Sequence, residues 1–281
     1  MLAAIQLHAK FTYCAYLRSG ALNSGHDLKT YLINLDRSPE RLKFMKEQLV
    51  RQHVDFERIR AVDGRKLDMH QYQNACITPG EIGCFLSHRI AWRTLCNSSD
   101  AFALVLEDDV HLSDDFAHFA KHAAWIPDDV AFITLETTHQ LIDVSRKSKP
   151  ATGGRILQRI IKNGTCLGGY IIRRDFAEYL LSDEGFSMPV DDWVFLQRTM
   201  NAHSLYQLNP AIVIQNRAYE GPSQSVLKST IAGERMRRVW PQQSFWKRLN
   251  RMLSKPVEQN IKKLVDLLMR RETVKRKIGF H

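Results

Sequence analysis

Apolar and polar positions along this chain switch between two periods. Residues 30–35 (TYLINL) form a short β-rich run. Ser38-Pro39-Glu40 then opens a helix, with serine as N-cap and proline at the first helical position. Residues 55–62 read as a second strand closed by Asp63-Gly64. Thr78-Pro79-Gly80-Glu81 is another capping arrangement, and behind it Ile82, Phe85, Leu86, Ile90 and Leu95 line the apolar side of a helix. Residues 101–106 (AFALVL) are nearly all apolar, as expected of a strand buried on both faces of a parallel sheet. A helix around 115–124, a strand at 130–135 and a Gly/Ser/Lys-rich loop at 143–154 follow. Then come a strand at 168–172, helices at 175–181 and 191–202, and a final strand at 205–214 despite Pro210. This alternation predicts an α/β fold with a mostly parallel sheet. No internal repeat is visible.

Charge divides the chain. Residues 234–281 hold 14 Lys/Arg against 4 Asp/Glu and so carry the whole formal charge of +10. The rest is balanced, which places any basic partner signal in the tail. Within it Phe245, Leu249, Met252 and Leu253 share one helical face. After Pro256, so do Val257, Ile261, Leu264, Val265 and Leu268, with Lys262, Lys263, Arg270 and Arg271 towards the other side. That is the pattern of a helix on an anionic membrane surface. A helix docked on the body with a solvated basic face is the alternative. Nucleic acid is disfavoured, because the tail carries no recognised binding motif.

No apolar run approaches the roughly 20 residues that cross a bilayer. The apolar start at residues 1–5 is interrupted by Gln6, His8 and Lys10 too early for a signal-peptide core. The expected organisation is a poorly ordered extension at 1–26, one domain at 27–233 and a helical basic tail at 234–281. Five scattered cysteines without a Cys-x-x-Cys pair argue against a disulfide framework or a zinc site, and for a reducing cytoplasm.

The candidate chemistry is acidic. Glu107-Asp108-Asp109 follows the AFALVL strand without a break. Three adjacent acids are often only a solvated turn, but ligands of open α/β sheets sit at the carboxyl ends of strands. Carboxylates gathered there repel one another unless a cation neutralises them, and oxygen ligands suit Mg²⁺ or Mn²⁺, which bridge to phosphates. Asp191-Asp192, before Trp193, is either an N-cap or a general base. Gly168-Gly169 allows close backbone approach to a ligand, or is a turn or bulge. His118 and His122 have helical metal-ligand spacing but no third partner nearby, and His88 reads as a satisfied, partly buried histidine.

Taken together, YLINLDRSPERL (31–42), RAVDGRKL (60–67), GEIGCFLSHRIAW (80–92), ALVLEDDV (103–110) and PVDDW (189–193) resemble the glycosyltransferase family 25 proteins of bacterial lipooligosaccharide biosynthesis. The resemblance implies a GT-A-like, Rossmann-like fold, a UDP-sugar donor (often UDP-galactose) and inversion at the anomeric carbon. By that analogy Asp109 ligates Mn²⁺ or Mg²⁺, while Glu107 and Asp108 contact the ribose or a metal-bound water. Asn34, Arg37 and Asp63 lie where the first strands meet the uridine, with Gly169 also on the donor side. Asp192, or else Asp191, falls at the position of the catalytic base. One departure from many GT-A enzymes is that no histidine occurs between His203 and His281, so Gln215 or Asn216 substitutes, or the triplet and the diphosphate suffice. The expected acceptor is a lipid-linked glycan at the cytoplasmic face of the membrane. The alternatives are a metal-dependent nucleotidyltransferase, and a catalytically inactive nucleotide- or carbohydrate-binding module.

Overall fold

The computed structural model describes residues 28–164, 166–182, 186–220 and 272–281. The 1–26 extension and most of the basic tail therefore lie outside the described residues. A nine-stranded sheet forms the centre of the body. Its strands are β1 (Lys29–Asn34), β2 (Glu57–Arg60), β3 (Phe102–Glu107), β5 (Phe132–Thr134), β7 (Leu141–Pro150), β8 (Ile156–Lys162), β9 (Gly169–Arg173), β10 (Leu205–Asn209) and β12 (Thr273–Lys277). They lie in the order β12-β7-β8-β10-β5-β9-β3-β1-β2. A second, three-stranded sheet places β11 (Val213–Gln215) between β4 (Val110–Leu112) and β6 (Glu136–Thr137).

The period-two alternation sorts side chains to two cores. From β1 and β3, Tyr31, Ile33, Ala103 and Val105 face one cluster, with Phe85, Trp92, Phe176 and Trp193. Leu32, Leu104 and Leu106 face the other, with Met45, Leu49, Phe116 and Phe119. Helix α1 (Pro39–Arg51) covers the second face, burying Arg41, Met45, Gln48 and Leu49 on one stripe. Ser38 starts this helix without a side-chain capping bond. Helix α2 (Pro79–Cys96) covers the first face. It begins with a full capping box, in which Thr78 Oγ1 accepts from the Glu81 N–H and the Glu81 carboxylate accepts from the Thr78 N–H.

The expectation of a mostly parallel sheet is corrected. Among the described residues of the large sheet, only the β1–β2, β1–β3 and β5–β10 pairs are parallel. β9 inserts antiparallel between β3 and β5, and β7, β8 and β12 add antiparallel pairs. The sheet is mixed. The predicted loop at 143–154 is mostly strand, because Ile142 and Val144 bury alternate side chains on β7, which is polar from Ser145 to Lys149 and pairs with the apolar-rich β8.

Other boundaries move as well. The helix at 115–124 is one short turn, α3 (Ala117–Ala120), followed by a 3₁₀ turn at Ala123–Trp125. The segment 191–202 divides into α5 (Val190–Val194) and α6 (Gln197–Ala202), after α4 (Arg174–Leu181). Pro210 separates β10 from β11, which joins the small sheet. The end of the chain also departs from a helical tail. β12 pairs antiparallel with β7, and Ile278 joins Ile142, Val144 and Ala211 in a small core. The β-branched Thr273 and Val274, and Ile278 four residues on, suit that edge.

Because β9 runs opposite to its neighbours, the carboxyl ends of β1, β3 and β5 share one sheet edge with the start of β9. Asn34, Glu107, Glu136 and Gly168 meet there.

Candidate cation and donor site

The acidic triplet divides its members between two environments. Asp108 points inward. Its carboxylate accepts from Asn34 Nδ2 and from Arg41 Nη1, each at 2.7 Å, and it is 6% exposed. Arg41 reaches it from the buried stripe of α1, and its other nitrogen donates to Asp109 Oδ2 at 3.1 Å. Asn34 also donates to the Ser38 carbonyl and accepts from Arg58. Asn34, Arg41 and Asp108 thus clamp the turn after β3 to the turn after β1.

Glu107, Asp109 and Glu136 form the other group. Asp109 Oδ1 and Glu136 Oε1 are buried without a hydrogen-bond partner. The second Glu136 oxygen accepts from the Gly168 N–H at 2.6 Å. Burial, and then the charge of Glu107, raise the Asp109 carboxyl to about 7. The same two causes push Glu136 well above the usual range. Burial also works against ionised Glu107, but His88 and Arg41 hold it below its ordinary value. Buried acceptors left empty beside like charges are costly. A divalent cation answers both deficits, since oxygen donors suit Mg²⁺ and Mn²⁺. The two orphaned oxygens, of Asp109 and Glu136, fit the ion that the resemblance implies.

On α5, Asp191 is half-buried and its carboxyl feels the charge of Glu107. Burial first, and Asp192 second, raise its carboxyl. Asp192 is exposed. Asp191 is thus the more enclosed member of the pair. Arg37 lies at the rim, exposed, and donates to Asp63 at 3.0 Å. Asp63 caps the 3₁₀ turn Gly64–Lys66, and the Arg65 guanidinium and N–H hold it well below the usual carboxylate range.

The glycine pair has an internal reason. A Cβ on Gly169 would meet Val213 Cγ1 at 2.7 Å, and one on Gly168 would meet Glu136 Oε2 at 2.9 Å. The close approach that Gly169 permits within the fold is to β11. His118 and His122 do not share a helical face, because α3 stops at Ala120. Asn216 is committed too. It faces His111 Nε2 through Oδ1 at 2.9 Å, and its N–H donates to the Asp109 carbonyl. Gln215, by contrast, reaches the Gly168–Glu136 corner.

Three participants escape the sequence reading: Glu136, Arg41 and Cys84. Glu136 carries the same signal as the triplet, an acid directly after an apolar strand. Arg41 sits at the buried i, i+4, i+7 spacing with Met45 and Gln48. Cys84 lies one helical turn before His88, and Cys84, His88 and Glu107 place possible ligand atoms within 4.8 Å of one another.

The profile of Glycosyltransferase family 25 (LPS biosynthesis protein) matches residues 27–194, from before β1 to the end of α5. The chain belongs to this family. It is 30% identical to lipooligosaccharide biosynthesis protein lex-1 of Haemophilus influenzae over 180 residues, 59% of each chain. Procollagen galactosyltransferase 2 of Homo sapiens is 28% identical over 197 residues, 62% of this chain and 30% of that protein. Inactive glycosyltransferase 25 family member 3 of Mus musculus is 31% identical over 103 residues, 31% of this chain and 17% of that protein. The chain spans less than two thirds of each of these relatives. The family match covers every element of the carboxylate site except Glu136's partner strand β11 and the residues after it.

Proposed function

We propose that this family 25 chain is a metal-dependent, inverting glycosyltransferase that moves a sugar from a UDP-sugar, galactose being the first to try, to a lipid-linked glycan. One observation carries the reading: Asp109 Oδ1 and Glu136 Oε1 are each buried without a hydrogen-bond partner, and both carboxyls feel the charge of Glu107 at the carboxyl end of β3. Asp109, Glu136 and Glu107 would hold Mn²⁺ or Mg²⁺, whose charge offsets that of the departing diphosphate. Asp108 anchors the turn through Arg41 and Asn34 so that Asp109 keeps its aim. Arg37 and Asp63 form the rim on the uridine side. Asp191 takes the proton from the acceptor hydroxyl as that oxygen attacks, and burial raises its carboxyl, which makes it a stronger base than an exposed aspartate.

The setting proposed is the cytoplasmic face of a membrane, reached through basic residues 234–271 outside the described ones. Among the described residues no helix is long and apolar enough to cross a membrane.

The test is a panel of UDP-sugars with and without EDTA, read as released UDP. UDP release that stops in EDTA and returns with Mn²⁺ is the expected result. Pyrophosphate release instead would assign a nucleotidyltransferase. Donor binding without turnover of any panel member would assign an inactive binding module.

A further inference from the structure

Behind Glu107 lies a buried row of polar groups that the transfer reaction does not itself use. Trp92 Nε1 is 2.9 Å from Tyr170 Oη, Tyr170 Oη is 2.9 Å from His88 Nδ1, and His88 Nε2 is 3.2 Å from Glu107 Oε1. Trp92, Tyr170 and His88 are fully buried. Phe132 stacks on Tyr170 with ring centroids 4.9 Å apart, which fixes the phenol in the row.

The chemistry of the donors gives the row a single direction. An indole nitrogen only donates, so Trp92 donates to the Tyr170 oxygen. A carboxylate only accepts, so the nitrogen facing Glu107 carries a proton. With a neutral ring, Nδ1 is then an acceptor, and the one phenolic proton of Tyr170 points at it. Every group in the row is satisfied, and none can reverse without leaving a buried polar atom empty.

We propose that His88 is a positioning residue, locked as its Nε2–H tautomer by Tyr170 and Trp92, which grips Glu107 by Oε1 and orients its carboxylate towards the cation site. The Cys84 thiol lies 3.8 Å from the same oxygen and completes the grip. The remaining face of Glu107, 24% exposed, is the part left for the ligand. This rests on the metal-dependent reading above. It also explains why Glu107 differs from Asp109 and Glu136, each of which has a buried oxygen without a partner. A soft metal on Cys84, His88 and Glu107 is the competing use of the cluster, but the hydrogen bonds already occupy His88 on both nitrogens.

The test combines two measurements that need no turnover. Two-bond ¹H–¹⁵N spectra read the His88 tautomer, with the signal assigned by its loss in H88Q. Wild type should show neutral Nε2–H, and Y170F should keep the proton on Nε2 facing Glu107 while the Nδ1 resonance moves, because Nδ1 loses its phenolic donor. Mn²⁺ binding, read from the free-ion electron paramagnetic signal, should weaken about tenfold or more in H88L, as loss of a hydrogen bond to a charged group does. H88Q keeps a donor for Glu107 and should stay within about threefold of wild type by the same scale. If H88L does not fold, Y170F and H88Q carry the comparison.

An Nδ1–H or doubly protonated ring in wild type would overturn the proposal, as would equal Mn²⁺ affinity in all folded variants. A thiolate-to-Co²⁺ absorption band lost in C84S would overturn it in favour of a soft-metal site. Failure of sugar transfer with a locked tautomer and His88-dependent Mn²⁺ binding would sink the enzyme reading alone.

Discussion

At the scale of single residues, burial and neighbouring charges push Glu107 down and Asp109 and Glu136 up, and this makes pH the most direct probe. Asp109 is raised from 3.8 to about 7 in the fold. Between those values the native state holds a proton that the unfolded chain has released, so stability falls as pH rises through the window. Metal-free protein should therefore melt at a lower temperature at pH 7.5 than at pH 5.5. The cation needs the ionised oxygen, so Mn²⁺ affinity should rise with pH and level off above about 7. Calorimetry at several pH values, with EDTA or Mn²⁺, checks both slopes, and parallel slopes would refute the assignment. Asp109→Asn keeps shape and the Arg41 contact but removes the charge, so Mn²⁺ binding and turnover should drop to near background. Asp191→Asn should lose ~10²–10⁴ in turnover with UDP affinity retained. Asp192→Asn should stay within a few-fold, being exposed, and a reversal of these two results reassigns the base. The triplet was legible because three acids follow an apolar strand. Glu136 carries that signal after Leu135 as a single acid, and only the fold shows its companions.

At the scale of elements, long-period signals survived and short or edge elements did not. The box Thr78–Glu81 and the buried stripe behind it mark α2 from sequence because both are local physics. The hairpin of β7 and β8 was hidden because one of its faces is polar, so Ser145, Lys147 and Lys149 read as loop. The glycine pair was legible as a close approach, but not the partner of that approach. Val213 of β11 fills the space above Gly169, a contact between segments 44 positions apart that no local pattern encodes. Gly169→Ala should destabilise by about 1–3 kcal/mol through overpacking. Adding Val213→Ala should recover part of that loss, so the double variant is less destabilised than the sum of the singles. Strict additivity in urea unfolding would show that the two strands do not press on each other here.

At the scale of the whole molecule, the antiparallel insertion of β9 turns an expected parallel sheet into a mixed one, and the end of the chain returns to close its far edge. That return was illegible because a short basic strand and a basic helix share composition; only the partner edge of β7 decides between them. Residues 272–281 hold more than a strand pairing. The Ala211 N–H donates to the Gly279 carbonyl, the Thr137 hydroxyl to the Ile278 carbonyl, and the buried Arg155 guanidinium to the His281 carbonyl. The stability role of these ten residues can therefore be separated from the membrane role proposed for 234–271. A chain ending at Arg271 loses the Ile278 burial, about 1.5–3 kcal/mol, and these bonds besides, which at ~2–4 °C per kcal/mol lowers Tm by roughly 5 °C or more. It keeps most of the tail's Lys and Arg, so its sedimentation with anionic vesicles should persist. Replacing the Lys and Arg of 234–271 by Gln in the otherwise intact chain should do the reverse. Tm should hold, while vesicle binding, at about 1 kcal/mol per cation near the surface, should disappear even at low salt. Co-sedimentation with anionic and neutral vesicles beside thermal melts reads both. An unchanged Tm in the shortened chain would sink the closing strand, and undiminished vesicle binding by the Gln variant would sink the membrane contact.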